Sequence, residues 1–260
     1  WTARLALLSL LYEVAITPKP GLVDRADNGA HDDMDFFTFM RSAAAIAPYF
    51  AQCAIVGQRA DVPIDALLGY LRPLGLLAEQ AMARETGGVN THKGLIFSLG
   101  ILCAAAGRLS GSRNAEELCA LAGQIARPAL DDVADTSHGG RVRQQYGGMG
   151  ARGEAAAGFP SALAALPVLR DAMSRGEGPD RAGAKALLAL MAQVRDTNVL
   201  YRAGEDGLAL MQRGARDLLA RDVPHEDLLA FSQAVTAHGI SPGGSADLLA
   251  VAFFLYLYEG

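Results

Sequence analysis

The stretch Thr86-Gly-Gly-Val-Asn-Thr-His-Lys-Gly94, followed at once by the apolar run Leu95-Ile-Phe97, decides how the rest of the chain is read. Glycine lets a backbone approach a ligand closely and adopt positive φ. A helix opening after this loop would point unpaired N–H groups back into it, which favours an anion there. Lys93 adds a mobile positive charge. Two readings follow: a loop that grips a phosphate at a helix start, or a polar turn between helices with a solvated lysine. The spacing is not that of a P-loop.

Working outward, the same logic recurs. Polar, glycine- or proline-marked connections alternate with apolar stretches of helical period. Helices are expected over residues 3–15, 36–56, 64–85, 95–108, 115–129, 161–173, 182–194, 205–220 and 225–238, and from 248 to near the end. Pro73 either kinks the third or opens a second helix at its first turn. Asn114-Ala-Glu-Glu117 resembles a capping box. No β-alternating run and no internal repeat is present. The expected fold is a single all-α domain of about ten helices.

Composition narrows the partners. The 260 residues are 51% hydrophobic and 20% charged, with a formal net charge of -5, so a nucleic-acid duplex is not an expected partner. Cys53, Cys103 and Cys119 form neither a disulfide framework nor a metal spacing; they read as buried thiols in a reducing compartment. The apolar run 248–258 is too short to cross a bilayer, and no signal peptide is apparent. A cytoplasmic protein is expected, with the apolar last helix a candidate homodimer surface. The chain opens on Trp1 rather than Met, so residues are expected upstream.

Six connections carry the chemistry: residues 17–24, 28–35, 86–94, 141–159, 195–202 and 240–247. Thr17-Pro-Lys-Pro-Gly-Leu-Val-Asp24 is stiffened by two prolines, which hold Lys19 and Asp24 at little ordering cost. Asn28-Gly-Ala-His-Asp-Asp-Met-Asp35 gathers His31, Asp32, Asp33 and Asp35; such oxygens suit Mg²⁺, or cap a helix. Glycines and arginines crowd residues 135–160, with Tyr146 and Glu154 among them; Arg141, Arg143 and Arg152 make either a bidentate phosphate clamp or a solvated surface loop. Ile240-Ser-Pro-Gly-Gly-Ser-Ala-Asp247 repeats the glycine-to-helix pattern, with Ser245 a candidate cap and Asp247 in the first turn. These connections are expected to converge on one polar cleft walled by helix ends. The physical reading stops at a helical enzyme for a phosphorylated substrate, with Mg²⁺ as an expected companion.

Thr17–Asp24, Gly29-Ala-His-Asp-Asp-Met34, Thr86–Gly94, Arg152-Gly-Glu-Ala155, Asp196-Thr-Asn198 and Ser241-Pro-Gly-Gly-Ser-Ala-Asp247 resemble, in order, the motifs of the triphosphoribosyl-dephospho-CoA synthase family. The resemblance runs nearly end to end. It implies that ATP and 3'-dephospho-CoA react to give 2'-(5''-triphosphoribosyl)-3'-dephospho-CoA and adenine. That product is the prosthetic-group precursor for the acyl carrier subunit of malonate decarboxylase or citrate lyase. A separate carrier-modifying transferase would act next, since the length argues against fusion to it. Under this reading Lys19, Lys93 and Arg152 hold phosphates. Asp24, Asp32 and Asp35 bind Mg²⁺ or supply a base, and Glu154, Asp196 and Asp247 are further acid candidates. His31, Asn90, Thr91, His92, Asn198 and Ser245, with Gly87, Gly88, Gly243 and Gly244, line the substrates. The alternatives are a hydrolase of nucleosidase or ADP-ribosyl hydrolase type, and a non-catalytic nucleotide or CoA carrier.

Overall fold

Local chemistry sets the helix ends. In the computed structural model, which describes residues 1–131 and 150–260, Asp35 caps α2 (Phe36–Gly57) in a reciprocal box with Thr38. Gly87, left-handed at φ 66°, closes α3 (Leu67–Thr86). The side chain of Asn114 caps α5 (Ala115–Ala126) through Glu117 N. Pro160 opens α7 (Pro160–Ser174), and Asp196 caps α9 (Thr197–Leu219). The remaining helices are α1 (Thr2–Ala15), α4 (Lys93–Leu109), α6 (Gly150–Ala156), α8 (Gly178–Met191), α10 (His225–Ala237) and α11 (Gly243–Glu259). The described residues thus hold eleven helices and no strand, as an all-α reading requires. The arginines at 141 and 143, Tyr146 and the glycines at 139, 140, 147 and 148 lie outside the described residues.

Several boundaries move. Helix α4 begins at Lys93, two residues early, so the lysine sits in the first turn. Pro73 lies inside α3, which runs on without a break, after a 3₁₀ turn at Ile64–Ala66. Residues 197–202 are helical rather than a connection; Gly204, at φ 64° and ψ -165°, interrupts α9 where the sequence suggested a start. Arg152 and Glu154 stand on α6, not in a loop.

Helices α4 and α11 are central. Helix α2 packs on α1, α3 and α4; α1 and α7 pack on α11; α8 packs on α7 and α9. Gly57 and Gly107 press α2 and α4 together: a Cβ on either would lie 1.9–2.1 Å from a carbonyl oxygen of the facing helix. By length and composition alone α2 could cross a membrane, but here eight of its residues are buried in the domain. Leu249, Phe253, Phe254 and Leu255 of α11 are fully buried, each contributing about 1.5–3 kcal/mol. The last helix is therefore core, and the expectation that it forms a dimer surface is overturned. Cys53, Cys103 and Cys119 are free and buried; burial pushes the Cys53 and Cys119 thiols up to about 12, so they are inert.

Candidate active site

Five of the six connections meet at one cavity of about 570 Å³. Lys19, Leu22 and Val23 come from the first and His31 and Asp33 from the second. The whole of residues 87–94 lines it, with Asn198, Tyr201 and Arg202 of α9 and Ser241, Gly243, Ala246 and Asp247 around the start of α11. The convergence has a simple cause. Connections that leave a helix bundle on the same side bring their helix ends together, and polar residues excluded from the core collect there.

Lys19 is 2% exposed and its ammonium donates to Glu13 Oε1 at 2.5 Å. Its charge and, above all, burial hold His92 neutral, with the imidazole pulled down to about 3. Thr91 Oγ1 donates to Ser42 Oγ (2.7 Å), leaving that hydroxyl's own proton for His92 Nδ1 (2.7 Å). The imidazole proton then falls on Nε2, a buried atom with no hydrogen-bond partner among the described residues. A donor left so costs about 1–3 kcal/mol, so the atom is open to a partner from a bound molecule. Lys93, half exposed, reaches Glu79 at 2.9 Å, and Asn90 Oδ1 accepts from Lys93 N. His31 Nε2 meets Ser241 Oγ at 2.7 Å; burial and then the Arg202 guanidinium lower its basicity. Arg202 itself is anchored on the carbonyls of Ala30 and Gly239. Gly87 and Gly88, at positive φ, face open space.

Asp247 is the group left with nothing to do. It makes no hydrogen bond among the described residues, and burial, Glu13 and Asp196 push its carboxyl well above the usual range. Gly94 makes room for it: a Cβ there would lie 2.1 Å from Asp247 Oδ2. Asp247 also lines a second cavity of about 350 Å³, shared with Ser98, Glu154, Asp196 and Gly244. Arg152 goes to a third, of about 590 Å³, between α3, α4 and α6. That cavity is similar in size to the first but mostly apolar, and the motifs do not meet there. The expected single cleft is therefore three neighbouring cavities around the first half of α4.

The other acids are occupied. Asp24 accepts from the N–H groups of Lys19 (2.8 Å), Ala26 (2.7 Å) and Asp27 (3.1 Å). Asp35 is spent on its cap with Thr38, which holds its carboxyl low. Asp32 is exposed and does not line the cavity. The magnesium set expected from Asp24, Asp32 and Asp35 does not assemble, and no cluster of three or more metal-binding side chains occurs among the described residues. Asp196 Oδ1 caps α9, and its Oδ2 accepts from Ser245 N (2.7 Å) and Ser245 Oγ (2.9 Å). Ser245 is thus a buried brace between α9 and α11, not a cap or a cavity contact. Glu154 accepts from Ser161 N (2.6 Å) and Oγ (3.1 Å) at the start of α7.

Glu13 and Arg202 were missed as site residues. Glu13 had one signal, a lone carboxylate interrupting an apolar helix. Its partner, Lys19, lies beyond a turn whose path only the fold defines.

A family model described as ATP:dephospho-CoA triphosphoribosyl transferase matches residues 1–260. The 2-(5''-triphosphoribosyl)-3'-dephosphocoenzyme-A synthase of Pectobacterium atrosepticum is 45% identical over 260 residues, covering 96% of this chain and 86% of that protein. A protein of Albidiferax ferrireducens, described as a probable synthase of the same name, is 46% identical over 268 residues, covering 97% and 88%. The fold is shared with an Archaeoglobus fulgidus protein described as a candidate triphosphoribosyl-dephospho-CoA synthase, at a TM-score of 0.59 and 17% identity, over 85% of this chain and 99% of that one. With five of its six motifs at one cavity and residues 1–260 matched, the chain belongs to the ATP:dephospho-CoA triphosphoribosyl transferase family.

Proposed function

We propose that this transferase moves the 5-triphosphoribosyl group of ATP onto the 2'-hydroxyl of 3'-dephospho-CoA and releases adenine. The observation that carries the reading is Asp247: an unbonded carboxylate at the wall of a cavity that also presents Lys19, Lys93 and Arg202. The cations suit a triphosphate. His92, held neutral, offers its Nε2 proton to a phosphate or ribose oxygen. As the C1'–N9 bond of ATP breaks, positive charge develops on the ribose, and a fixed carboxylate stabilises it. A raised carboxyl also suits proton transfer from the attacking hydroxyl.

Magnesium enters only as a companion of the triphosphate, which keeps its waters and needs few protein carboxylates. No step is assigned to it. The product serves as prosthetic-group precursor for the acyl carrier subunit of malonate decarboxylase or citrate lyase, taken up by a carrier-modifying transferase activity. The buried free cysteines suit a reducing, cytoplasmic setting.

The test is incubation with ATP, Mg²⁺ and dephospho-CoA, followed by mass spectrometry. Adenine and the triphosphoribosylated product are expected together. Adenine formed equally well without dephospho-CoA would make the chain a hydrolase, and tight ATP binding with no turnover would make it a carrier.

A further inference from the structure

Two substrates must meet at one bond, and the structure offers two cavities that meet at one side chain. The cavity with the lysines and Arg202 lies on one side of Asp247. On the other side lies the smaller cavity, lined by Ser98, Glu154, Gln193, Arg195, Thr197 and Asp247. Their chemistry differs. The first sets three cations, Lys19, Lys93 and Arg202, against the acids Glu13, Asp33 and Asp247. Among the described residues the second offers hydroxyls and an amide, no lysine, and one arginine, Arg195, already paired with Glu205 at 2.7 Å. Its acids among the described residues are Glu154, Asp196 and Asp247. Hydroxyls and amides suit a nucleoside, whereas the acids oppose an added phosphate.

Resting on the pentosyl-transfer reading, we propose that the smaller cavity seats the acceptor nucleoside with its 2'-hydroxyl against Asp247, and that its acidic wall excludes a ribose bearing a 3'-phosphate. The step balances within this arrangement. The acceptor oxygen bonds to C1' of the donor and its proton passes to the Asp247 carboxylate. The C1'–N9 pair leaves with adenine, which takes a proton from water, while the Asp247 carboxyl returns its own to water. A 3'-phosphate is attached to the carbon next to the one carrying the reacting hydroxyl. It would bring about -1.5 to -2 charges to the same three acids. Discrimination against CoA is thus a consequence of where the base must stand.

The test is calorimetry with one substrate at a time. The wild type should bind dephospho-CoA at least ~10-fold more tightly than CoA. Ala151 is exposed on α6 and lines only the smaller cavity. A151W should weaken dephospho-CoA at least ~10-fold and leave ATP within about twofold. E154Q keeps an oxygen for Ser161 and should narrow the preference over CoA by about fivefold. If A151W fails to fold, Q193W, exposed on the same cavity, replaces it. Equal loss of ATP and dephospho-CoA, no loss of dephospho-CoA, or an unchanged CoA ratio in E154Q would overturn the assignment. A wild type that binds both substrates but never releases adenine would sink the transfer reading instead, and the variants would still decide which cavity holds which ligand.

Discussion

Replacing Gly94 with alanine should remove most of the turnover while leaving the fold at least as stable. Gly94 is in the first turn of α4, and its φ is not in the left-handed region, so the backbone accepts alanine. Alanine in a helix gains up to about 1 kcal/mol over glycine. The new methyl, however, would lie 2.1 Å from Asp247 Oδ2, where ordinary contact begins at 3.4 Å. The oxygen must retreat by about 1.3 Å. Displacements of about 1 Å at a reacting centre cost on the order of 10²-fold. We expect kcat for adenine release, followed by chromatography with saturating ATP and dephospho-CoA, to fall about 100-fold. Tm should be unchanged or higher. The double variant Gly94→Ala, Asp247→Asn should turn over no more slowly than Asp247→Asn alone, because the two changes disable one group. A Gly94→Ala enzyme turning over within threefold of wild type, with its Tm retained, would show that the carboxylate's position is not what catalysis depends on.

Asp247→Asn alone should lower kcat by about 10²–10⁴-fold yet raise stability at neutral pH. A carboxyl raised by burial and by Glu13 and Asp196 helps the fold at low pH and loses that contribution as pH climbs through its folded value, so removing the charge relieves the neutral protein; urea melts at pH 7 and 4 read this. Lys93→Ala should raise the KM for ATP about 10-fold and move stability by less than about 1 kcal/mol, since its pair with Glu79 is half exposed; an unchanged KM removes it from the phosphate site. Glu13→Gln leaves Lys19 charged and buried, and should cost about 3–5 kcal/mol in denaturant melts; a cost below 1 kcal/mol would mean water reaches the lysine. His92 binds its proton near pH 6.5 when unfolded and about 3 when folded. Its contribution is therefore complete above pH 6.5 and lost as pH falls, by about 2 kcal/mol between pH 6.5 and 5. The His92→Asn protein should lack that part of the wild-type slope.

The helices were legible because glycine, proline and capping residues mark their ends: Asn114, Pro160 and Gly87 act where the sequence suggested punctuation. The cavity was legible in outline, since Lys19, His31, Asn90, Thr91, His92, Lys93, Asn198, Gly243 and Asp247 do share it. What sequence could not rank was the acids. Asp24 and Asp35 look like metal ligands until one sees that neighbouring N–H groups already take their oxygens. An aspartate is a cap or a catalyst according to which donors reach it first, and for Asp196 and Ser245 the deciding contact spans 49 residues. Arg152 was misplaced for a related reason: glycines around it suggested a loop, whereas α6 carries it toward α3 and α4.

Glu13 lies on the first helix and Asp247 on the last, and those two helices lie side by side. During synthesis the early helices leave the ribosome long before α11 does. They then wait with the face meant for α11 uncovered and with the buried Glu13–Lys19 pair open to water. A nascent chain therefore lacks both Asp247 and the dry setting around it until the seventeen-residue α11 has emerged.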